Sequence, residues 1–237
     1  PKSPTFPDQE SYQGEVKHSI HYRDPEPYMG KRVLLVGVGN SGGEIASELA
    51  LAGAEVSIAV RSGARVVPRA MAGVPIQYIG FLMTYLPKIF TQISLAWMAL
   101  LGRLIRGRPV LPPARKNPCS EVPLIGFNLT NAIRDGKIRV CKGISHFTET
   151  GIVFEDGLEE SFDHVLLATG FQPALEFMGI YGTRDTCGFA SRRDRIQSES
   201  HPNLYFVGHN YDMTGGLNNI RKDSRLAADA IARALKQ

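Results

Sequence analysis

The spacing of apolar residues changes several times along this chain, and each change predicts an element. Val33 to Val36 is an unbroken aliphatic run, the pattern of a strand buried on both faces. After a glycine turn, apolar residues from Glu44 to Ala52 recur at helical spacing, and Glu55 to Val60 is a second buried strand. Residues 30–60 therefore predict strand, helix, strand: one right-handed parallel unit. Asn128 to Arg134 predicts a short helix closed by Asp135-Gly136, and Ile138 to Val140 another strand. Gly151 to Phe154 and Glu160 to Phe162, around the turn Glu155-Asp156-Gly157, predict a small β-meander. Val165 to Phe171 and Leu204 to Gly208 predict two further buried strands with a glycine at or near the end, and Leu217 to Leu235 a closing helix. The class is α/β.

A different pattern occupies Val74 to Ile105, where Ile, Leu, Phe, Met and Trp97 dominate and Lys88 and Arg103 are the only charges. Its uncharged portion, Ile89 to Gly102, is 14 residues, short of the roughly 20 that a bilayer span needs. The run predicts a helical insert. Arg103, Arg106 and Arg108 follow it, so peripheral contact with an anionic membrane surface is one reading. Helices capping the nucleotide domain or lining a substrate tunnel are the other.

The turn after the first strand carries specific chemistry. In Gly37-Val38-Gly39-Asn40-Ser41-Gly42, Gly37 permits a tight turn and Gly39 lets backbone approach a pyrophosphate. Gly42 lets the helix pack close to the strand, and the free N–H groups of the helix start face the phosphates. Asn40 and Ser41 belong to the same turn, and the Ser41 hydroxyl is a further donor. The second strand ends in Arg61-Ser62 instead of the acidic residue that holds an NAD ribose. A guanidinium there suits the 2′-phosphate of NADPH, with a solvated strand-end charge as the alternative.

Composition narrows the classes further. A net charge of +4, with Lys and Arg scattered and no basic stripe interleaved with aromatics, favours small anionic cofactors over nucleic acid. Cys119, Cys141 and Cys187 form no CxxC, which predicts reduced thiols and a cytoplasmic setting and argues against a zinc site. The histidines show no metal-ligand spacing, and no GxSxG elbow is present. Arg192-Arg193-Asp194-Arg195 reads as a solvated loop. The opening, Pro1-Lys2-Ser3-Pro4-Thr5-Phe6-Pro7, has neither initiator Met nor signal peptide and predicts a linker within a longer protein.

Four ordered motifs resemble the flavin-containing monooxygenases, including the plant YUCCA-type enzymes. The family fingerprint, FxGxxxHxxxY or F, stands here as Tyr12-x-Gly14-x-x-x-His18-x-x-x-Tyr22, with Tyr in place of the leading Phe. Related Baeyer-Villiger enzymes carry Trp at the last position, so Tyr22 points toward heteroatom or keto-acid oxygenation. The GxGNSG turn is Gly37 to Gly42, the LATGY strand is Leu167-Ala168-Thr169-Gly170-Phe171, and the late strand with its glycine is Leu204 to Gly208.

The resemblance implies an interdomain linker with the fingerprint over 1–29. A Rossmann-like NADPH-binding domain with a small β-meander and the 74–105 insert follows over 30–169. Residues 170–237 would be the segment that returns to complete an FAD domain. Nothing before Tyr12 is that domain's own GxGxxG unit, so the 237 residues should bind FAD weakly by themselves. The implied reaction uses NADPH to reduce FAD, and O2 to oxygenate a lipophilic small molecule. Thr169 and Gly170 would lie near the interdomain cleft, Gly208 and Gly216 near FAD, and His18 would fix the crossing through hydrogen bonds. None of these is a proton-transfer catalyst. A non-catalytic NADP-binding module is the rival reading, and the missing CxxC argues against a disulfide reductase.

Overall fold

The computed structural model describes residues 1–83, 85, 87, 93, 97, 102, 107–114, 123–179, 184–210 and 215–236. In chain order the strands are β1 (Glu15–His18), β2 (Arg32–Val36), β3 (Glu55–Ala59), β4 (Val66–Val67), β5 (Ala70–Met71), β6 (Val74–Pro75), β7 (Leu124–Ile125), β8 (Ile138–Cys141), β9 (Ile144–Phe147), β10 (Gly151–Phe154), β11 (Glu159–Ser161) and β12 (His164–Leu167). The α-helices are α1 (Asn40–Leu51), α2 (Ile76–Met83), α3 (Asn128–Arg134) and α4 (Gly216–Ala234). The chain forms two compact units.

The first unit comprises Pro1–Arg69, Ser94–Arg115 and Pro123–Phe171. Its centre is a parallel five-stranded sheet in the order β1-β12-β2-β3-β8. Period-2 alternation decides what each face meets. Val33, Leu35, Val56, Ile58 and Leu166 point toward a core that includes Ile45 and Leu49 of α1 and Leu129 of α3. Leu34, Val36, Val165 and Leu167 point the other way, onto Phe147, Ile152 and Phe154 of the antiparallel β9-β10-β11 meander. Both faces are therefore covered, which is why these strands read as continuous apolar runs. Each such side chain contributes about 1.5–3 kcal/mol on full burial.

The segment before Gly30 contains more than a crossing loop. Glu15–His18 pairs in parallel with His164–Leu167 and forms the sheet edge. Its strand character was hidden because only four residues, Glu-Val-Lys-His, make the strand and a pair of charges sits within them. The fingerprint anchors this edge. The Tyr12 hydroxyl donates to the Phe162 carbonyl at 2.8 Å, and the ring meets Phe147 edge-on at 5.3 Å. A side chain at Gly14 would collide with that Tyr12 ring, so the aromatic and the glycine are required together. Burial pushes the Tyr12 phenol up to about 12.

The second unit comprises Ala70–Ile93, Lys116–Val122 and Gln172–Gln237. It contains the β5-β6 hairpin, α2 and α4. Leu204–Gly208 is not a strand among the described residues: Tyr205 makes one isolated bridge to Gln197, and the Phe206 amide donates to the Ile196 carbonyl at 2.7 Å. Its apolar run packs into a small cluster with Leu175 and Ala190 without a ladder to join. The predicted insert is described as helix over α2 and at Ile93, Trp97 and Gly102; most of Ile89 to Gly102, with Arg103 and Arg106, lies outside the described residues.

Two further expectations are corrected. Cys187 is disulfide-bonded, while Cys141 is free and buried. Thiol pairing follows proximity in space, which odd counts and spacing do not reveal. The Arg192–Arg195 cluster is solvated only at Arg193 and Asp194. Arg195 donates from Nε to the fully buried Asp223 carboxylate at 2.5 Å and from Nη2 to Asn219 at 2.6 Å. Arg192 donates to Asn210 at 3.0 Å, and Asn210 in turn donates to Asp223 at 2.9 Å. Buried carboxylates need such partners, and Asp223 finds its own from a distant part of the chain.

Candidate functional site

Strand order places the site. From β2 the chain proceeds outward through β3 to β8, whereas β12 and β1 lie on the opposite side of β2. The carboxyl ends of β2 and β12 are thus a topological switch point, where open parallel sheets bind ligands. Gly37 follows β2 with φ 108°, a conformation that disfavours side chains, and a Cβ there would lie 2.6 Å from the Ala168 carbonyl oxygen. The GxGNSG turn and the LATGF strand end therefore meet through bare backbone.

The three fingerprint glycines divide by their surroundings. A Cβ on Gly42 would strike the Gly37 carbonyl, so the helix start is pressed onto the turn. Gly39 is the opposite case, since nothing lies within 4 Å of the position a Cβ would take. Gly39 is also the N-cap of the 12-residue α1, and no side chain caps this end. The first-turn amides consequently lack a capping side chain, at the positive end of the helix dipole. That open side of Gly39, with exposed Ser41 next to it, fits a pyrophosphate.

Asn40 acts elsewhere. Its Oδ1 accepts from the Ile125 amide at 2.7 Å and its Nδ2 donates to the Pro123 carbonyl at 3.1 Å. The side chain thus ties α1 to the segment of β7, while Leu124 packs where a side chain on Gly43 would be, 2.8 Å away. β7 pairs with β4, which follows the Arg61-Ser62 turn. Asn40 is therefore a positioning residue for the turn.

Arg61 is exposed after β3. Ser62 next to it is half-buried. Beyond this strand end lies a cavity of about 530 Å³, walled by residues 108–113, Val60, Val140, Cys141, Lys142 and Asp156. Arg108 and Lys142 bring further positive charge to it, and sequence reasoning missed both. Their signal was position: Lys142 directly follows the strand adjacent to β3. Burial pushes the Cys141 thiol up, so it lines the cavity as a neutral group.

Thr169 and Gly170 are held by the chain's opening segment. The Thr169 hydroxyl donates to the Lys2 carbonyl, and the Lys2 amide donates to the Gly170 carbonyl at 2.9 Å. His18, buried at the end of β1, bonds to the same Gly170 carbonyl through Nε2 at 3.1 Å. Its Nδ1 accepts from the Ile20 amide at 3.2 Å, which leaves Nε2 as the donor to that carbonyl. The ring meets Phe171 edge-on at 5.3 Å. Tyr22 donates to Glu48 of α1 at 3.0 Å, and burial together with that carboxylate raises its phenol. Three fingerprint positions thus fasten β1 and its continuation to the sheet, the LATGF end and α1.

In the second unit, Gly208 donates its amide to Asp223 at 3.1 Å, and Gly216 opens α4 with free space beside it. Residues 211–214, between them, lie outside the described residues. Among the described residues no three His, Cys, Asp or Glu side chains could hold a metal ion.

A glycine turn at the switch point of a parallel sheet, open at an uncapped helix start, defines the dinucleotide-binding class. The pattern of the Flavin-binding monooxygenase-like family matches residues 1–180, and the chain belongs to that family. It is 34% identical over 181 residues to the indole-3-pyruvate monooxygenase YUCCA1 of Oryza sativa subsp. japonica, covering 73% of this chain and 44% of that protein. The fold is similar to a flavin-containing monooxygenase from Stenotrophomonas maltophilia, with TM-score 0.66 and 21% identity over 98% of this chain and 59% of that one. It is also similar to the NADP+-bound cyclohexanone monooxygenase of Rhodococcus sp. Phi1, with TM-score 0.63 and 16% identity over 100% of this chain and 58% of that one. The chain spans about half the length of the curated relatives it matches.

Proposed function

We propose that this chain carries the NADPH site of a flavin-dependent monooxygenase that inserts one oxygen atom from O2 into a lipophilic small molecule. The observation that carries this reading is the open side of Gly39, set between backbone-packed Gly37 and Gly42 at an uncapped helix start. The first-turn amides of α1, with the Ser41 hydroxyl, hold the pyrophosphate. Arg61 and Ser62 take the 2′-phosphate, and the cavity beside β3 and β8 takes the adenosine. The NADP+ of the Rhodococcus enzyme supports this choice of nucleotide. Thr169, held by the Lys2 carbonyl, and Gly170, held by His18, border the reductant at the switch point. Gly208 and Gly216 approach FAD, which when bound supplies the oxygen chemistry.

The relatives' substrate, indole-3-pyruvate, supports an aryl pyruvate undergoing oxidative decarboxylation, and N- or S-oxygenation is the other reaction of this class. The test is calorimetric titration of wild type and Arg61→Ala with NADP+ and NAD+. One charge-assisted contact is worth about 1.5–3 kcal/mol, so the variant should lose about 10–150-fold for NADP+ and little for NAD+. Equal losses for both nucleotides, or no binding of either to the wild type, refute the assignment.

A further inference from the structure

We propose that Asp156 reads the base of the bound nucleotide, accepting a hydrogen bond from the 6-amino group of adenine and disfavouring a 6-oxo purine. The inference rests on the nucleotide reading above and concerns the cavity of about 530 Å³ beside β3 and β8, whose described walls all belong to the first unit. Val60, Leu111 and Val140, with Pro112 and Pro113, give that cavity apolar walls suited to the faces of a purine. Among the described walls the charged groups are Arg108, Lys142 and Asp156, so one carboxylate stands beside two cations. A carboxylate repels phosphate and accepts hydrogen bonds, so its partner on the ligand must be a donor.

Strand order selects the donor. With the pyrophosphate at the turn after β2 and the 2′-phosphate at Arg61 after β3, the nucleotide runs outward across the sheet, and its base falls at the next strand, β8. The ribose hydroxyls belong beside β3 with the 2′-phosphate, which leaves the exocyclic amine as the donor at β8. Lys142 directly follows β8, and the Gly143 carbonyl accepts from the Glu155 amide at 2.8 Å, which ties the Glu155-Asp156-Gly157 turn to that strand end. The turn is well held. Gly157, with φ 80°, donates its amide to the Phe154 carbonyl at 2.9 Å, the Phe154 amide donates to the Leu158 carbonyl at 2.9 Å, and Asp156 Oδ1 accepts from the Leu158 amide at 3.3 Å. A register shift against β9 at Val153/Phe154 lies just before it, and such irregularities re-aim the residues beyond them. A carboxylate has about four lone-pair sites, so the bond to Leu158 leaves capacity for a ligand. Adenine offers an amine there, whereas a 6-oxo purine sets an acceptor against the negative charge.

The 237-residue chain is titrated calorimetrically with NADP+ and with nicotinamide hypoxanthine dinucleotide phosphate, which differ only in the base. The wild type should bind NADP+ about tenfold more tightly. Asp156→Asn keeps an oxygen for the Leu158 amide and gains an N–H donor that a 6-oxo group accepts, so the preference should fall to about twofold or less. Asp156→Ala should weaken NADP+ about tenfold and leave the hypoxanthine analogue within about twofold of the wild type. Arg61→Ala should weaken both nucleotides alike, because both carry the 2′-phosphate. No binding of either nucleotide overturns the site and the base reading together. Binding that depends on Arg61 but is equal for the two bases overturns the base reading alone. Equal losses for both nucleotides in Asp156→Ala overturn it as well, since they put the carboxylate on the ribose.

Discussion

Asn40→Ala tests whether the nucleotide turn is set by the chain segment that β7 belongs to. The substitution removes two hydrogen bonds, to the Ile125 amide at 2.7 Å and the Pro123 carbonyl at 3.1 Å. Both backbone partners are half-buried, so water replaces the lost bonds only in part. At about 0.5–1.5 kcal/mol per bond the loss is about 1–3 kcal/mol, or a fall in Tm of about 4–8 °C for a loss near 2 kcal/mol in a chain of this size. Hydrogen exchange should show the Ile125 amide exchanging faster, since its acceptor is gone. Because the pyrophosphate is common to both nucleotides, affinity for NADP+ and NAD+ should fall together, by at least about fivefold. That pattern differs from Arg61→Ala, which discriminates between them. Asn40→Asp keeps the acceptor for Ile125 but loses the donor to Pro123, and should retain slow exchange at Ile125. An unchanged Ile125 exchange rate in Asn40→Ala, or a loss confined to NADP+, would refute the positioning role.

Three other outcomes follow from the packing. Asp223→Ala breaks a buried ion pair with Arg195, whose side chain keeps 27% exposure, so urea unfolding should show a loss near the lower end of about 3–5 kcal/mol. Tyr12→Phe restores the residue that the family fingerprint carries and should cost only about 1 kcal/mol in thermal unfolding, the worth of the bond to Phe162. His209 is one pH-sensitive group. Burial first, then Arg192, hold its imidazole below the ordinary value of 6.5, and its Nδ1 accepts from the Ala190 amide at 3.3 Å. The folded state therefore resists protonation: its stabilising contribution is complete above pH 6.5 and declines as pH falls from there toward the depressed folded value. Denaturation of wild type and His209→Phe at a series of pH values should show a slope in that window for the wild type alone.

Much of the first unit was legible in local pattern. The runs Val33 to Val36 and Glu55 to Val60 became β2 and β3 within a residue, because strands buried on both faces leave no room for polar residues, whereas of Val165 to Phe171 only the part up to Leu167 is strand, in β12. Asn128 to Arg134 became α3 and Gly151 to Phe154 became β10 as their local patterns predicted. The glycine turn was equally readable, since Gly37 and Gly42 are required by backbone contacts within one strand-turn-helix unit.

What depended on distant partners was not readable. Glu15–His18 is a strand only because His164–Leu167 offers an edge, and nothing in four mixed residues announces that. The Arg192–Arg195 run looked solvated because its counter-charge, Asp223, is 28 residues beyond Arg195. The Asn40 side chain is engaged by Pro123 and Ile125, 83 and 85 residues away, a tie that its place in the glycine turn does not announce. By itself the sequence determined the parallel α/β frame, the dinucleotide turn and the basic strand end, since each follows from steric and solvation rules acting over a few residues. Only the tertiary structure decided which polar side chains hold the frame, because a hydrogen bond's partner is chosen by proximity in space.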